Sequence, residues 1–187
     1  CPRCQADVSA LPIQPQRAAV EGYMIISTGT HAGLLMNAVQ ALKYERATEL
    51  AAPLGKRLAA ISIRAPWQID LVVPVAMPAE RLAKRGYNQA ELLAAEMARH
   101  QKLAYAPDAI IRTRETPTQV GLNRAQRLQN VAGAFTATID LADQHILLID
   151  DVFTTGATMA ACADAARAAG ATKVFGLTVT AAVDPRL

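Results

Sequence analysis

Apolar residues recur along this chain in two rhythms, and the switches between them lay out its elements. Ile146-Leu147-Leu148-Ile149 is a run of branched apolar residues, short enough for a strand buried on both faces of a parallel sheet. Leu71-Val72-Val73-Pro74-Val75, opened by Asp70, has the same character. Proline cannot donate to a ladder, so Pro74 marks that strand's end and a constrained loop. Tyr23 to Ser27, Ala109 to Arg112, Ala134 to Ile139 and Lys173 to Thr180 are further strand segments.

Between these runs the apolar spacing becomes helical. From His31 to Glu45, the residues Leu34, Leu35, Ala38, Val39 and Leu42 share one face, with Thr30 as the N-cap. A second helix is expected over Ala47 to Ile61, with Pro53 near its first turns. Asn88 followed by Glu91 is a capping box for a helix running to about His100, and Gly86 serves the turn before it. A last helix runs from about Gly156 to Ala169 and stops at a C′ glycine, Gly170. Residues 1–22, with Pro2, Pro12 and Pro15, read as an irregular lead-in. Residues 113–130 are polar, with Pro117, Gly121 and several arginines, and read as a functional lid or a disordered connection. The order of elements predicts an α/β fold over residues 23–187: a doubly wound, mostly parallel sheet flanked by helices.

Composition narrows this picture. The chain has 187 residues, of which 52% are hydrophobic, and its mean hydropathy is +0.15; one well-buried domain, or one domain with a small appendage, is expected. No apolar stretch reaches a membrane span and no signal-peptide pattern opens the chain, so a cytoplasmic location is expected. A start at Cys1 suggests further residues upstream. The net charge of +3 is too small to declare a nucleic-acid binder. The clusters Arg81, Lys84, Arg85 and Arg112, Arg114, Arg124, Arg127 are either solvated surface or a basic rim around an anionic ligand. Cys162 is a small core residue. Cys1 and Cys4 form a C-x-x-C, half of a structural zinc site. His31, His100 and His145 have no spacing to complete it, so zinc there requires residues upstream.

Candidate chemistry gathers after the apolar run ending at Ile149. Asp150 and Asp151 stand where that strand should end, followed by Val152-Phe153-Thr154-Thr155-Gly156-Ala157-Thr158 leading into a helix. Ligands of open α/β sheets bind at the carboxyl ends of strands, and a small-residue turn at a helix N-terminus suits a phosphate. Carboxylates beside a phosphate cradle must hold something other than the phosphate, namely sugar hydroxyls or a metal ion. A ribose 5-phosphate meets both requirements. The loop after Pro74 is a second strand end, able to grip the other end of the ligand. A Walker-type site is excluded because Gly55-Lys56-Arg57 has Leu50 in place of the first glycine and no Ser/Thr after the lysine. No dinucleotide fingerprint and no serine elbow appear. Lys43 and Asn88 have ordinary explanations as a dipole-complementing lysine and a cap. Gln119, Arg124, Arg127 and Asn130 would suit a lid over a diphosphate.

Ile146 to Thr158 resembles the 5-phosphoribosyl 1-diphosphate signature of type I phosphoribosyltransferases. The chain is further similar to the ComF-type branch, associated with competence and DNA uptake. The similarity rests on Lys43-Tyr44, Val72 to Val75, Arg85-Gly86-Tyr87-Asn88-Gln89-Ala90 and the run from Gln119 through Arg127 and Asn130 to Phe135. Two departures are Ala76, where the family's loop commonly has proline, and a four-cysteine zinc module reduced to Cys1 and Cys4. The resemblance implies that Asp150 and Asp151 are catalytic, holding the ribose 2- and 3-hydroxyls. It implies that Val152, Thr154, Thr155, Gly156, Ala157 and Thr158 bind the 5-phosphate end. Val75 and Ala76 would form the diphosphate loop, with Arg81 or Arg85 nearby, and residues 114–127 a mobile hood. It also implies Mg²⁺ carried by the diphosphate and transfer of phosphoribose to an unidentified acceptor. The rival expectation is a non-catalytic accessory that keeps the fold, or a protein that binds single-stranded DNA or competence proteins. The low aromatic content, 4%, argues against a strong base-stacking platform.

Overall fold

Strands and helices alternate so that each face of one sheet is covered. The computed structural model describes residues 2–116 and 124–182. Its first half contains α1 (Pro2–Ala10), β1 (Gln16–Val20), β2 (Tyr23–Ser27), α2 (Gly33–Tyr44), a 3-10 turn (Thr48–Leu50), α3 (Ala51–Ser62), β3 (Leu71–Pro74), α4 (Ala79–Arg85) and α5 (Gln89–Gln101). The second half contains β4 (Ala104–Tyr105), β5 (Ile110–Arg112), α6 (Arg124–Val131), β6 (Phe135–Ala137), β7 (His145–Phe153), α7 (Ala157–Ala168) and β8 (Lys173–Ala181).

The main sheet has the order β1-β2-β8-β7-β3-β4, parallel except for the antiparallel β1–β2 pair. Period-2 alternation divides the core between its two faces. Ile146 and Leu148 pack with Ala160, Ala163 and Val73 on the α7 side. Leu147 and Ile149 pack with Leu54, Leu58, Leu93 and Met97 on the α3–α5 side. Each strand residue is buried on whichever face it meets, which is why the run carries no polar alternation. Gly55 belongs to this packing, since a Cβ there would lie 2.5 Å from Glu96 Cβ. It lets α3 and α5 approach closely.

Several expectations are corrected. Residues 2–20, read as irregular, form α1 and β1. β1 is an edge strand whose burial is confined to its last residues, Ala18 in part and Val20, so its sequence shows no apolar stripe. The end of α1 and the segment after it are held by the buried guanidinium of Arg57, which donates to the carbonyl oxygens of Leu11 (2.5 Å) and Pro12 (3.1 Å) and reaches Val8 O of α1 at 3.5 Å. Thr30 is not the α2 N-cap; Ala32 is, without a side-chain bond, while Thr30 bridges to Ala181. The segments Ala109 to Arg112 and Ala134 to Ile139 do not join the main sheet. They supply β5 and β6, a separate two-stranded antiparallel sheet with Ile110 opposite Ala137. The polar stretch 113–130 contains a helix, α6, and α4 was not foreseen. No helix among the described residues is long and apolar enough to cross a membrane.

Candidate active site at the carboxyl ends of β3 and β7

The parallel register brings two loops to one edge. β3 and β7 pair from Leu71 opposite Ile146 to Pro74 opposite Ile149. The turn after β3 is fixed to its neighbour, because Val75 N–H donates to Ile149 O at 2.9 Å. β7 does not stop at the carboxylates: Asp150 lies opposite Thr178 and Val152 opposite Thr180, so β8 carries the strand on to Phe153. Adjacent residues of a strand face opposite ways. Asp150 and Asp151 therefore present their carboxylates on different faces of the same strand end.

Asp151 is buried and its Oδ2 lies 2.9 Å from Lys43 Nζ, from the last turn of α2. That contact is ionic and not an aligned hydrogen bond; Oδ2 has no hydrogen-bond partner among the described residues. It retains capacity to accept from a ligand hydroxyl. Asp150 Oδ1 accepts the Asp151 backbone N–H at 2.8 Å. Desolvation pushes the Asp150 carboxyl up, the Asp151 charge adds to this, and Lys43 opposes it. His31 joins the group through Nδ1 and Thr180 Oγ1, 2.8 Å apart. It is held below the ordinary imidazole range by desolvation and by Lys43, with Asp151 opposing.

After Phe153 the chain turns into α7. Gly156 takes the left-handed conformation (φ 76°), and a Cβ there would lie 2.7 Å from Val20 Cγ2 and 2.8 Å from Phe153 Cε2. Glycine alone fits both the dihedral and the space. It serves as N-cap with no side-chain bond, and a small-residue helix N-terminus of this kind suits an anion through its backbone N–H groups and dipole. Ala157 N–H points at Thr155 Oγ1 across 3.5 Å. Val152, Thr154, Thr155, Gly156, Ala157 and Thr158 line this turn together with Asp150 and Thr178.

Facing it is a cavity of about 230 Å³ that joins Val75, Ala76, Asp150, Asp151 and Thr158 to Arg81 and Arg85. The expected site residues thus fall into one connected region. Lys43, Asn88, Arg112 and Thr116 line the same cavity; of these, residue-level reading offers only Arg112 as part of a basic rim around an anionic ligand. Asn88 caps α5, accepting from Ala90 N–H at 3.0 Å, and also donates to Val75 O at 3.1 Å, tying the loop to the helix. Arg112 lies 5.3 Å over the Phe135 ring and donates to Thr116 Oγ1. Its guanidinium is held below the usual arginine range by desolvation and then by the charge of Arg81. Two cations opposing each other across a cavity favour an anion between them. A signal for Lys43 existed: it follows Leu35 and Val39 on the apolar stripe of α2, where a charge needs a buried partner.

Cys162, on α7, is fully buried and its thiol is pushed far up by burial, so it is inert. Arg114 donates to the carbonyls of Asn130 (3.2 Å) and Ala132 (2.7 Å) and braces α6. Pro117, Gln119, Gly121 and the side chains of Arg124 and Arg127 lie outside the described residues, as does Cys1. Cys4 is exposed.

Residues 46–183 match the phosphoribosyl transferase domain family. The DNA utilization protein YhgH of Escherichia coli K12 is 30% identical over 141 residues, 73% of this chain and 62% of that protein. Competence protein F of Haemophilus influenzae is 33% identical over 93 residues, 48% of this chain and 41% of that protein. The chain spans about 62% of the length of the YhgH relative. The adenine phosphoribosyltransferase of Saccharomyces cerevisiae superposes with a TM-score of 0.48 at 13% identity, over 98% of this chain and 90% of that one.

Proposed function

The chain belongs to the phosphoribosyl transferase domain family, and on that premise we propose that it binds 5-phosphoribosyl 1-diphosphate and transfers the phosphoribosyl group to an acceptor. The observation that carries the reading is the junction of three features at one strand end. These are a glycine-turned N-terminus on α7 whose N-cap has no side-chain bond, a carboxylate pair whose buried Asp151 Oδ2 meets Lys43 and accepts no hydrogen bond among the described residues, and a second loop flanked by Arg81 and Arg85. The α7 turn suits the 5-phosphate, Asp150 and Asp151 the ribose hydroxyls, and the turn at Val75 and Ala76 the diphosphate.

The reaction follows from the leaving group. An acceptor lone pair forms a bond to ribose C1 as the C1–O bond to diphosphate breaks. The electron pair leaves with the diphosphate, and the acceptor's proton passes to solvent. Positive charge builds on the sugar ring at the barrier, and the Asp151 carboxylate paired with Lys43 supplies compensating charge, with Asp150 adding to it as it ionises. Arg81, Arg85 and Arg112 hold the departing charge and orient it. Mg²⁺ fits this donor set: it prefers phosphate oxygens and waters with few protein ligands, and no group of three or more His, Cys, Asp or Glu converges among the described residues. Bound, it would supply charge neutralisation at the diphosphate, and Asp150 and Asp151 are the chain's own residues that would help hold it.

The names of the relatives support a role in DNA utilisation or competence. Calorimetry with 5-phosphoribosyl 1-diphosphate and Mg²⁺ tests the donor site. Binding is expected to weaken at least tenfold in Asp150→Asn and in Asp151→Asn, and no heat from folded wild-type protein would sink the reading. Donor binding without diphosphate release across a panel of bases and amines would mark a ligand-sensing protein that keeps the fold.

A further inference from the structure

A second concavity adjoins the donor cavity, and its chemistry is of one sign. It measures about 450 Å³ and is lined by Lys43, Tyr44, Arg46, Arg81, Lys84 and Arg85, with no acidic side chain. Arg81, Lys84 and Arg85 stand at i, i+3 and i+4 of α4, the spacing that gathers them on one face and makes them repel. A cation in the last turn of a helix complements its dipole. That accounts for Lys84 and Arg85 but not for Arg81 nearer the start. Arg46, from the turn after α2, holds a left-handed backbone (φ 57°) that a glycine would adopt without strain. No ion pair ties Arg46, Arg81, Lys84 or Arg85 to a carboxylate among the described residues.

Tyr44 stands in the middle of these cations, 74% exposed. The Arg85 guanidinium covers one ring face at 5.4 Å from the centroid, and the Arg85 side chain is itself anchored on Gln89. An exposed aromatic ring backed by arginine offers a stacking surface for a planar heterocycle. Lys43, Tyr44, Arg81 and Arg85 line both concavities, so a ligand in the trough is presented to the donor cavity across a shared wall.

We infer that this trough anchors a nucleotide-class acceptor, its phosphate on the α4 cations and Arg46 and its base against Tyr44. The inference builds on the donor-site reading, yet its test is separable from it. Arg46 and Lys84 line the trough and not the donor cavity, so the double variant Arg46→Ala/Lys84→Ala isolates it. The probes are a nucleoside monophosphate, the corresponding nucleoside, inorganic phosphate, and a labelled oligothymidylate of about 12 nucleotides, within the span of single-strand sites. They are titrated into the intact chain by calorimetry or anisotropy at two salt concentrations.

The monophosphate is expected to bind with salt-dependent affinity and the nucleoside at least tenfold more weakly. The double variant is expected to lose tenfold or more for the monophosphate, with 5-phosphoribosyl 1-diphosphate affinity within twofold of wild type. For the oligonucleotide each lost phosphate contact is expected to flatten the log–log salt slope by about 0.7. Tighter binding of the oligonucleotide than of the monophosphate, with the same dependence on Arg46 and Lys84, identifies a strand end as the source of the phosphate; equal binding identifies a free nucleotide. The inference is overturned if no phosphate-bearing probe binds, if the double variant binds like wild type, or if donor affinity falls in parallel with the probe's. Failure of donor binding alone, with nucleotide binding intact, removes the donor reading and leaves the trough standing.

Discussion

Asp150 is expected to cost the protein stability at neutral pH, and removing its charge should show it. Its carboxyl is pushed from 3.8 to about 7, first by desolvation and then by the neighbouring charge of Asp151. In the folded protein the proton is therefore held more tightly than in the unfolded chain between about pH 4 and 7. Where the native state binds more protons, stability falls as pH rises. The neutral form's contribution is fully present below the unfolded value and is lost as pH climbs through the folded one. The full displacement would correspond to about 4 kcal/mol. Asp150 is partly open to the cleft and Lys43 opposes the shift, so screening reduces the effect to about 1–3 kcal/mol. Asp150→Asn keeps the shape and cannot ionise. It is expected to melt within experimental error of wild type near pH 3, below the unfolded value. At pH 7.5 it is expected to melt about 2–12 °C higher, at 2–4 °C per kcal/mol for a chain of this size. Groups titrating elsewhere cancel in the comparison. Equal melting temperatures at both pH values, or a less stable variant at pH 7.5, would refute the argument.

Three other perturbations test separate parts of the framework. Lys43→Met leaves Asp151 buried without its cation and is expected to cost about 2–4 kcal/mol in urea denaturation, with a double-mutant cycle against Asp151→Asn showing non-additivity of about 1 kcal/mol or more. Gly156→Ala places a Cβ against Val20 and Phe153 in a left-handed turn; a loss of about 1–3 kcal/mol together with weaker donor binding is expected, and an unchanged melting curve would show that the turn relaxes freely. Arg57→Ala orphans the carbonyls that its guanidinium reaches on Leu11 and Pro12. It is expected to cost about 2–4 kcal/mol and to raise amide exchange in α1 before the rest of the chain; uniform exchange would contradict a local role.

What could be read from residues alone follows the range of the interactions involved. β7 and β3 announce themselves because both faces of a central strand are buried, which forces a continuous apolar run. The α7 turn is legible because phosphate recognition by backbone N–H groups demands small residues next to one another. β1 is not, since an edge strand needs burial only near one end and Gln16, Arg17 and the alanines serve it as well as a stripe would. β5 and β6 have the composition of strands, but which sheet they join depends on partners 27 residues apart, Ile110 and Ala137 in register. The ion pair of Lys43 and Asp151 spans 108 positions, so only the breach of the α2 apolar stripe hints at it. Asn88 was legible as a cap because capping is local; its second bond, to Val75, depends on how α5 docks beneath the β3 turn.

The register of β7 also separates two residues that composition treats as identical. Asp150 follows Ile146 and Leu148 onto the α7 face, and Asp151 follows Leu147 and Ile149 onto the face where α2 delivers Lys43. Asp151 therefore holds the direct ion pair with Lys43, while Asp150 feels that cation only at longer range. Asp151→Asn strands Lys43, whose side chain is 20% exposed and can rehydrate, so a loss of only about 1–2 kcal/mol is expected. Asp150→Asn is expected to act in the opposite direction at the same pH. Neighbouring substitutions of the same chemistry should thus shift the melting temperature with opposite signs at pH 7.5, while both weaken donor binding. Shifts of the same sign would mean that solvent, not the alternation of the strand, sets the environment of the pair.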